Sequence, residues 1–111
     1  MEELKERKCE ACRVGASRVS DEEIDRYKPV IPDWDVVEMD NVPRLVRHFK
    51  FRNFREALEF TDKVGNIAEQ EGHHPAILTE WGKVTVSWWT HAIKGLHIND
   101  FIMAAKTDAL Y

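Results

Sequence analysis

The chain has no apolar run approaching the roughly 20 residues that a membrane-spanning helix needs. Its first residues, Met-Glu-Glu-Leu-Lys-Glu-Arg, are charged where a signal peptide is apolar. A soluble, cytoplasmic protein with no membrane partner is the expectation. Basic blocks are missing too: 16 Lys and Arg stand against 20 Asp and Glu, dispersed along the sequence, for a net charge of -4. Nothing in that distribution would track a phosphate backbone, so no direct nucleic-acid partner is expected. Cysteine is scarce, with only Cys9 and Cys12 in a Cys-x-x-Cys arrangement. This spacing can be half of a zinc site or a redox pair. A zinc site needs two more ligands, and no second Cys-x-x-Cys exists; a thioredoxin-like pair belongs between a strand and a helix, not in a polar leader. A structural role, or none, is the favoured reading, with metal sharing and redox work left open. Internal repeats and low-complexity segments are also absent, and 111 residues suit one domain that buries about two thirds of its unfolded surface.

Residues 1–19 are polar and lack sustained periodicity, and read as a flexible or loosely docked leader before a single domain over 20–111. Ser20 with Glu23 three residues on is a capping box that starts a short helix ending before Pro29. Trp34 to Met39 fits a strand, Asp40-Asn41 a turn, and Arg44 to Phe51 a partner strand with Leu45, Arg47, Phe49 and Phe51 on one side. Asn53 with Glu56 caps a long helix whose apolar stripe is Phe54, Ala57, Leu58, Val64 and Ala68, widened by Phe60 and Ile67. Gly72 suits a left-handed helix end, and Pro75 holds His74 extended, so His73 and His74 occupy a tight helix-to-strand exit. Ala76 to Trp81 and Lys83 to Thr90 read as a second hairpin around Gly82. In its second strand Val84, Val86, Trp88 and Thr90 face one way, and Thr85, Ser87, Trp89 and His91 the other. A last helix begins near Asn99-Asp100. Two hairpins and three helices grouped on one face of an antiparallel sheet make an α+β sandwich.

Between Glu69 and Asp100 lie three histidines, His73, His74 and His91. Imidazole takes and gives a proton near neutral pH, so such a cluster suggests proton transfer before any other chemistry. A metal centre made from the same residues is disfavoured, because neighbours in an extended segment point apart and neither His-Glu-x-x-His nor His-x-His occurs. His48 and His97 are solitary in their elements and read as filler. Trp34, Trp81 and Trp88 read as core or interface.

The spacing Glu69-x3-His73-His74-Pro75-x5-Trp81-x9-His91-x8-Asp100 resembles the signature of the pterin-4a-carbinolamine dehydratase family. Trp34, the strand Arg44 to Phe51, the stretch Asn53-Phe54-Arg55-Glu56-Ala57 and Gly95-Leu96 extend the likeness over about residues 20–110. The resemblance implies a four-stranded antiparallel sheet with helices packed on one face, in the order α-β-β-α-β-β-α, and assembly as a homodimer or homotetramer. It implies dehydration of a 4a-hydroxytetrahydropterin to a quinonoid dihydropterin, in tetrahydrobiopterin recycling, without metal or other cofactor. By that likeness His73, His74 and His91 surround the pterin, with acid and base duties given to His74 and His91. His73 would assist proton transfer or contact the substrate. Glu69 and Asp100 would support the imidazoles by accepting their N–H groups, Trp89 would wall the cavity beside His91, and main-chain groups at Gly72 and Thr90 would bind the ring's amide edge. Two departures are visible: many members carry Asp where this chain has Gly72, and Thr where it has His97, which would move the last helix cap to Asn99. The alternatives kept beside this reading are a pterin-binding or coactivator-type oligomer without catalysis, or a role with molybdenum-cofactor pterins.

Overall fold

In a computed structural model, residues 4–9 and 18–111 are described. Ser20 caps the first helix, α1 (Asp21–Tyr27), by accepting from the Glu23 amide while the Glu23 carboxylate accepts from the Ser20 amide. A single 3-10 turn, Lys28–Val30, follows and leads to Ile31 and Trp34, both fully buried. Strands β1 (Asp35–Met39) and β2 (Val42–Lys50) meet through Asp40 and Asn41, whose φ values of 52° and 63° give the doubly left-handed turn that short-side-chain polar residues tolerate. Helix α2 (Phe54–Glu71) follows, capped by the Asn53 side chain, which accepts from the Glu56 amide. The second hairpin is β3 (Ala76–Glu80) and β4 (Lys83–Trp88), and the chain closes with α3 (Ile98–Leu110).

The four strands form one antiparallel sheet, as expected for this α+β arrangement, and lie in the order β1-β2-β4-β3. Registers such as Leu45 opposite Trp88 and Phe49 opposite Val84 line the apolar side chains of the two central strands up on one face. Against that face lie Ala57, Phe60, Val64 and Ala68 of α2 and Phe101, Ile102, Met103 and Ala104 of α3, all buried. At roughly 1.5–3 kcal/mol for each large apolar side chain taken out of water, this layer is what holds the sheet to its helices. Two expected members of the α2 stripe, Phe54 and Leu58, are instead exposed. They fall at the edge of a stripe whose centre is Ala57, Phe60 and Val64, so the sheet covers the centre and leaves the edge to solvent. Trp81 is 74% exposed at the tip of the second hairpin, whereas Trp34 and Trp88 are wholly buried.

Part of the leader is docked. Leu4 is buried in the core cluster, Lys106 of α3 donates to the Lys5 carbonyl at 2.9 Å, and Cys9 N–H donates to Glu71 Oε1 at 2.9 Å. Cys12 lies outside the described residues. Among those residues no helix is long and apolar enough to cross a membrane.

Candidate active site

The exit from α2 sets two histidines in different surroundings. Gly72 takes φ 64° and ψ 30°, the left-handed conformation that terminates a helix, and its N–H donates back to the Ala68 and Glu69 carbonyls. His73 N–H donates to the Ala68 carbonyl at 3.1 Å, and Pro75 keeps His74 out of the helical region. Successive side chains of the extended segment then diverge. His73 turns inward and is 6% exposed. His74 turns outward and its side chain is 58% exposed.

His73 is held on two sides. Its Nε2 lies 2.6 Å from Asp100 Oδ1, and its ring is stacked parallel to Trp88, with 5.8 Å between centroids and 7° between planes. Asp100 is itself fully buried, and its other oxygen accepts from the Thr90 hydroxyl at 2.8 Å and the His97 amide at 2.9 Å. A buried carboxylate needs such donors, since leaving it unpaired would be heavily destabilising. His74 has a looser neighbour: Nε2 stands 3.6 Å from Glu69 Oε2, and both groups face solvent. Glu69 and Asp100 thus each sit beside one imidazole, the first of His74 and the second of His73.

The third histidine arrives differently from expectation. β4 ends at Trp88 instead of running on to Thr90, and Thr90 forms an isolated antiparallel bridge with Gly95. Between them the chain makes a 3-10 turn, His91–Ile93, closed by Lys94 at φ 48°. The strand stops because Thr90 exchanges hydrogen bonds with Gly95 of its own chain loop, N–H to carbonyl at 2.9 and 3.4 Å, so β3 has no partner to offer beyond Ser87. Arg18 Nε donates to the Ile93 carbonyl at 2.9 Å and braces the turn from behind. Trp89 and His91 still meet, as stacked rings 4.6 Å apart at 28°. The adjacent tryptophans Trp88 and Trp89 point to opposite faces of the sheet, and each carries one histidine ring against its own.

These pieces surround one cleft of about 350 Å³ lined by Gly72, His73, His74, Thr90, His91 and Ala92. All three histidines of the cluster therefore reach the same space. Trp89 is not in that lining: one face is covered by His91 and the other by the Arg44 guanidinium, 4.0 Å from the ring centre. The main-chain N–H groups of Gly72 and Thr90 donate within the helix cap and to the bridge. Both residues still shape the wall.

Two neighbours of the site escape a reading of the sequence. His97, taken as filler, is the N-cap of α3: its Nδ1 accepts from the Asn99 amide at 3.1 Å while Asp100 accepts from the His97 amide. The helix starts one residue earlier than expected and the cap does not move to Asn99, because an imidazole nitrogen can accept as the missing Thr hydroxyl would have done. The signal available was Asp100 at the third helical position, the reciprocal half of a capping box. Arg44 is the other, and the strand alternation that sets it opposite Leu45's face was its only trace. Among the described residues no group of three or more His, Cys, Asp and Glu is arranged to hold a metal ion.

Comparisons with known proteins bear on the sequence and the fold as a whole. The family model for pterin 4 alpha carbinolamine dehydratase matches residues 17–110. A relative from Syntrophotalea carbinolica named for that dehydratase is 64% identical over 110 residues, covering 99% of this chain and 98% of its own. Another so named, from Microcystis aeruginosa, is 56% identical over 111 residues, 100% of this chain and 96% of its own. A crystal structure from Brucella melitensis, described as a transcriptional coactivator/pterin dehydratase, superposes with a TM-score of 0.76 at 28% identity, over 85% of this chain and 98% of that one. With His73, His74 and His91 of the signature lining one cleft and likeness running end to end, the chain belongs to the pterin 4 alpha carbinolamine dehydratase family.

Proposed function

We propose that the chain dehydrates 4a-hydroxytetrahydropterins, a hydro-lyase activity in tetrahydrobiopterin recycling, with His74 and His91 exchanging the protons. The observation that carries this reading is the single cleft shared by His73, His74 and His91. In the reaction the N5 lone pair of the carbinolamine forms the C4a=N5 double bond as the C4a–O bond breaks. The departing hydroxyl takes a proton from one imidazolium and leaves as water. The proton remaining on N5 passes to a neutral imidazole, giving the quinonoid dihydropterin. Each positioned acid or base contributes about 10² to 10⁴-fold when it titrates near the working pH.

The division of labour follows from what each ring already touches. His73 has Nε2 turned to Asp100 and its face against Trp88, so it serves as a fixed wall and orienting group. His74 and His91 are exposed and reach the cleft from different elements, one from the α2 exit and one from the turn after β4. Glu69 Oε2 stands 3.6 Å from His74 Nε2, beside the ring on its solvent side. The test is a steady-state assay with enzymatically generated 4a-hydroxytetrahydropterin. The native chain should accelerate dehydration, and His74→Ala and His91→Ala should each lower kcat by about 10² or more with an unchanged circular dichroism spectrum. Pterin affinity without turnover in the native chain would favour a binding protein instead, and full activity in both variants would remove these two residues from the mechanism.

A further inference from the structure

We infer that Trp89 and Arg44 are positioning residues for His91, acting as a stacked column that fixes the direction of its ring; this rests on the reading that His91 handles a substrate proton. The turn that carries His91 is well anchored at the backbone, by the Thr90–Gly95 bridge and by Arg18 on the Ile93 carbonyl. Its side chain is not. The imidazole is exposed, and among the described residues no hydrogen bond reaches it. Left alone, an exposed imidazole would sample its staggered rotamers and point its nitrogens away from the cleft for much of the time.

Trp89 supplies the missing constraint. Its indole lies flat against the imidazole at 4.6 Å, on the face of the sheet opposite Trp88. What keeps the indole from swinging away is Arg44 of β2, the strand hydrogen-bonded to β4, with its guanidinium 4.0 Å over the other indole face. Arg44 Nε is buried and, among the described residues, has no hydrogen-bond partner. An arginine serving as an ion-pair partner would present its donors to an acceptor; this one leaves a buried donor unmet while its guanidinium carbon stands 4.0 Å over the indole centre. Unmet buried donors are rare and call for a reason, and the cation held over the indole is one. The column is thus guanidinium, indole, imidazole, with only the outermost ring facing the cleft.

The experiment uses the full chain and the variants Trp89→Ala, Trp89→Phe, Arg44→Met and His91→Ala, reading kcat, KM and the proton NMR shift of the His91 Cε1–H, which an adjacent indole displaces. Trp89→Ala is expected to lower kcat on the order of tenfold with KM changed less than about twofold, as misorientation of a reacting group does. The His91 resonance should move toward its solvated position in the same variant. Trp89→Phe should recover most of both effects, and Arg44→Met should fall between Ala and native. Native kcat together with an unmoved His91 resonance in Trp89→Ala overturns the proposal. So does a loss that Phe does not relieve while the fold is intact. Should Trp89→Ala fail to fold, Arg44→Met decides alone: it must shift the resonance and reduce kcat, or the column has no positioning role. His91→Ala separates the two levels, since native turnover in that variant defeats the assignment of His91 while the resonance shifts still report whether the column holds the ring.

Discussion

Replacing Asp100 by Asn tests how much of the site is held by one buried charge. The Asp100 carboxylate joins three parts of the chain: the α2 exit through His73, the end of β4 through Thr90, and the start of α3 through the His97 amide. Asn has the same shape but only one acceptor oxygen and no charge. If that oxygen keeps Thr90 and His97, the new NH2 group faces His73 Nε2, which must then accept where it could have donated. Hydrogen bonds to a charged partner contribute about 1.5–3 kcal/mol and neutral ones about 1. Three contacts weakened by about 1 kcal/mol each give a loss of roughly 3 kcal/mol, all at a buried carboxylate. For a domain near this size that lowers Tm by about 12 °C or more. Urea denaturation followed by circular dichroism reads the stability, and nitrogen-15 NMR of the His73 ring reads which nitrogen carries the proton. A loss below about 1 kcal/mol, with the His73 tautomer unchanged, would refute the claim that Asp100 clamps the three segments.

Three further outcomes follow from the same geometry. Gly72→Ala should be destabilising by about 1–2 kcal/mol from the left-handed backbone alone, because a Cβ there would meet no atom within 4 Å; a larger loss in urea melts would show a contact that the cleft wall does not have. His97→Ala should lose about 0.5–2 kcal/mol by uncapping α3, and His97→Ser should recover most of it; equal stability of the Ala and Ser variants would deny the cap. At the start of α2, hydrogen bonds from the Arg52 side chain and backbone hold the Glu56 carboxyl below the usual carboxylate range. A depressed native value favours the ionised, folded form, so its contribution is present above the unfolded carboxylate range and fades as pH falls through the native one. The Tm gap between native and Arg52→Ala chains should therefore narrow below about pH 4, and a gap constant with pH would contradict it.

Local chemistry made most of the fold readable. Ser20, Asn53, Gly72 and the Asp40-Asn41 turn mark element ends through hydrogen bonds and backbone preferences that operate within four residues, and the structure has its boundaries there. Legibility failed where a distant partner decided. β4 stops at Trp88 because Thr90 bonds to Gly95, and a strand pattern alone cannot foresee which of two acceptors an amide will choose. Trp89 and His91 share a side as alternation suggests, yet the face of Trp89 is covered by Arg44 from another strand, which depends on the β2–β4 register. His97 as a cap was hidden by chemistry that is uncommon at that position. The pairing of His73 with Asp100 and of His74 with Glu69 was foreseeable only as a set; which carboxylate meets which imidazole depends on how Pro75 splays the two side chains.

The brace behind the His91 turn comes from just ahead of α1. Arg18 reaches the Ile93 carbonyl, packs its side chain where Gly95 leaves room, and is followed by Val19, whose amide donates to the Leu96 carbonyl at 2.9 Å. Shortening the protein to begin at Ser20 would keep every cleft-lining residue and still slacken the turn that carries two of them, His91 and Ala92. Gly95 is equally constrained from that direction, since any larger residue there would push the arginine out of its slot.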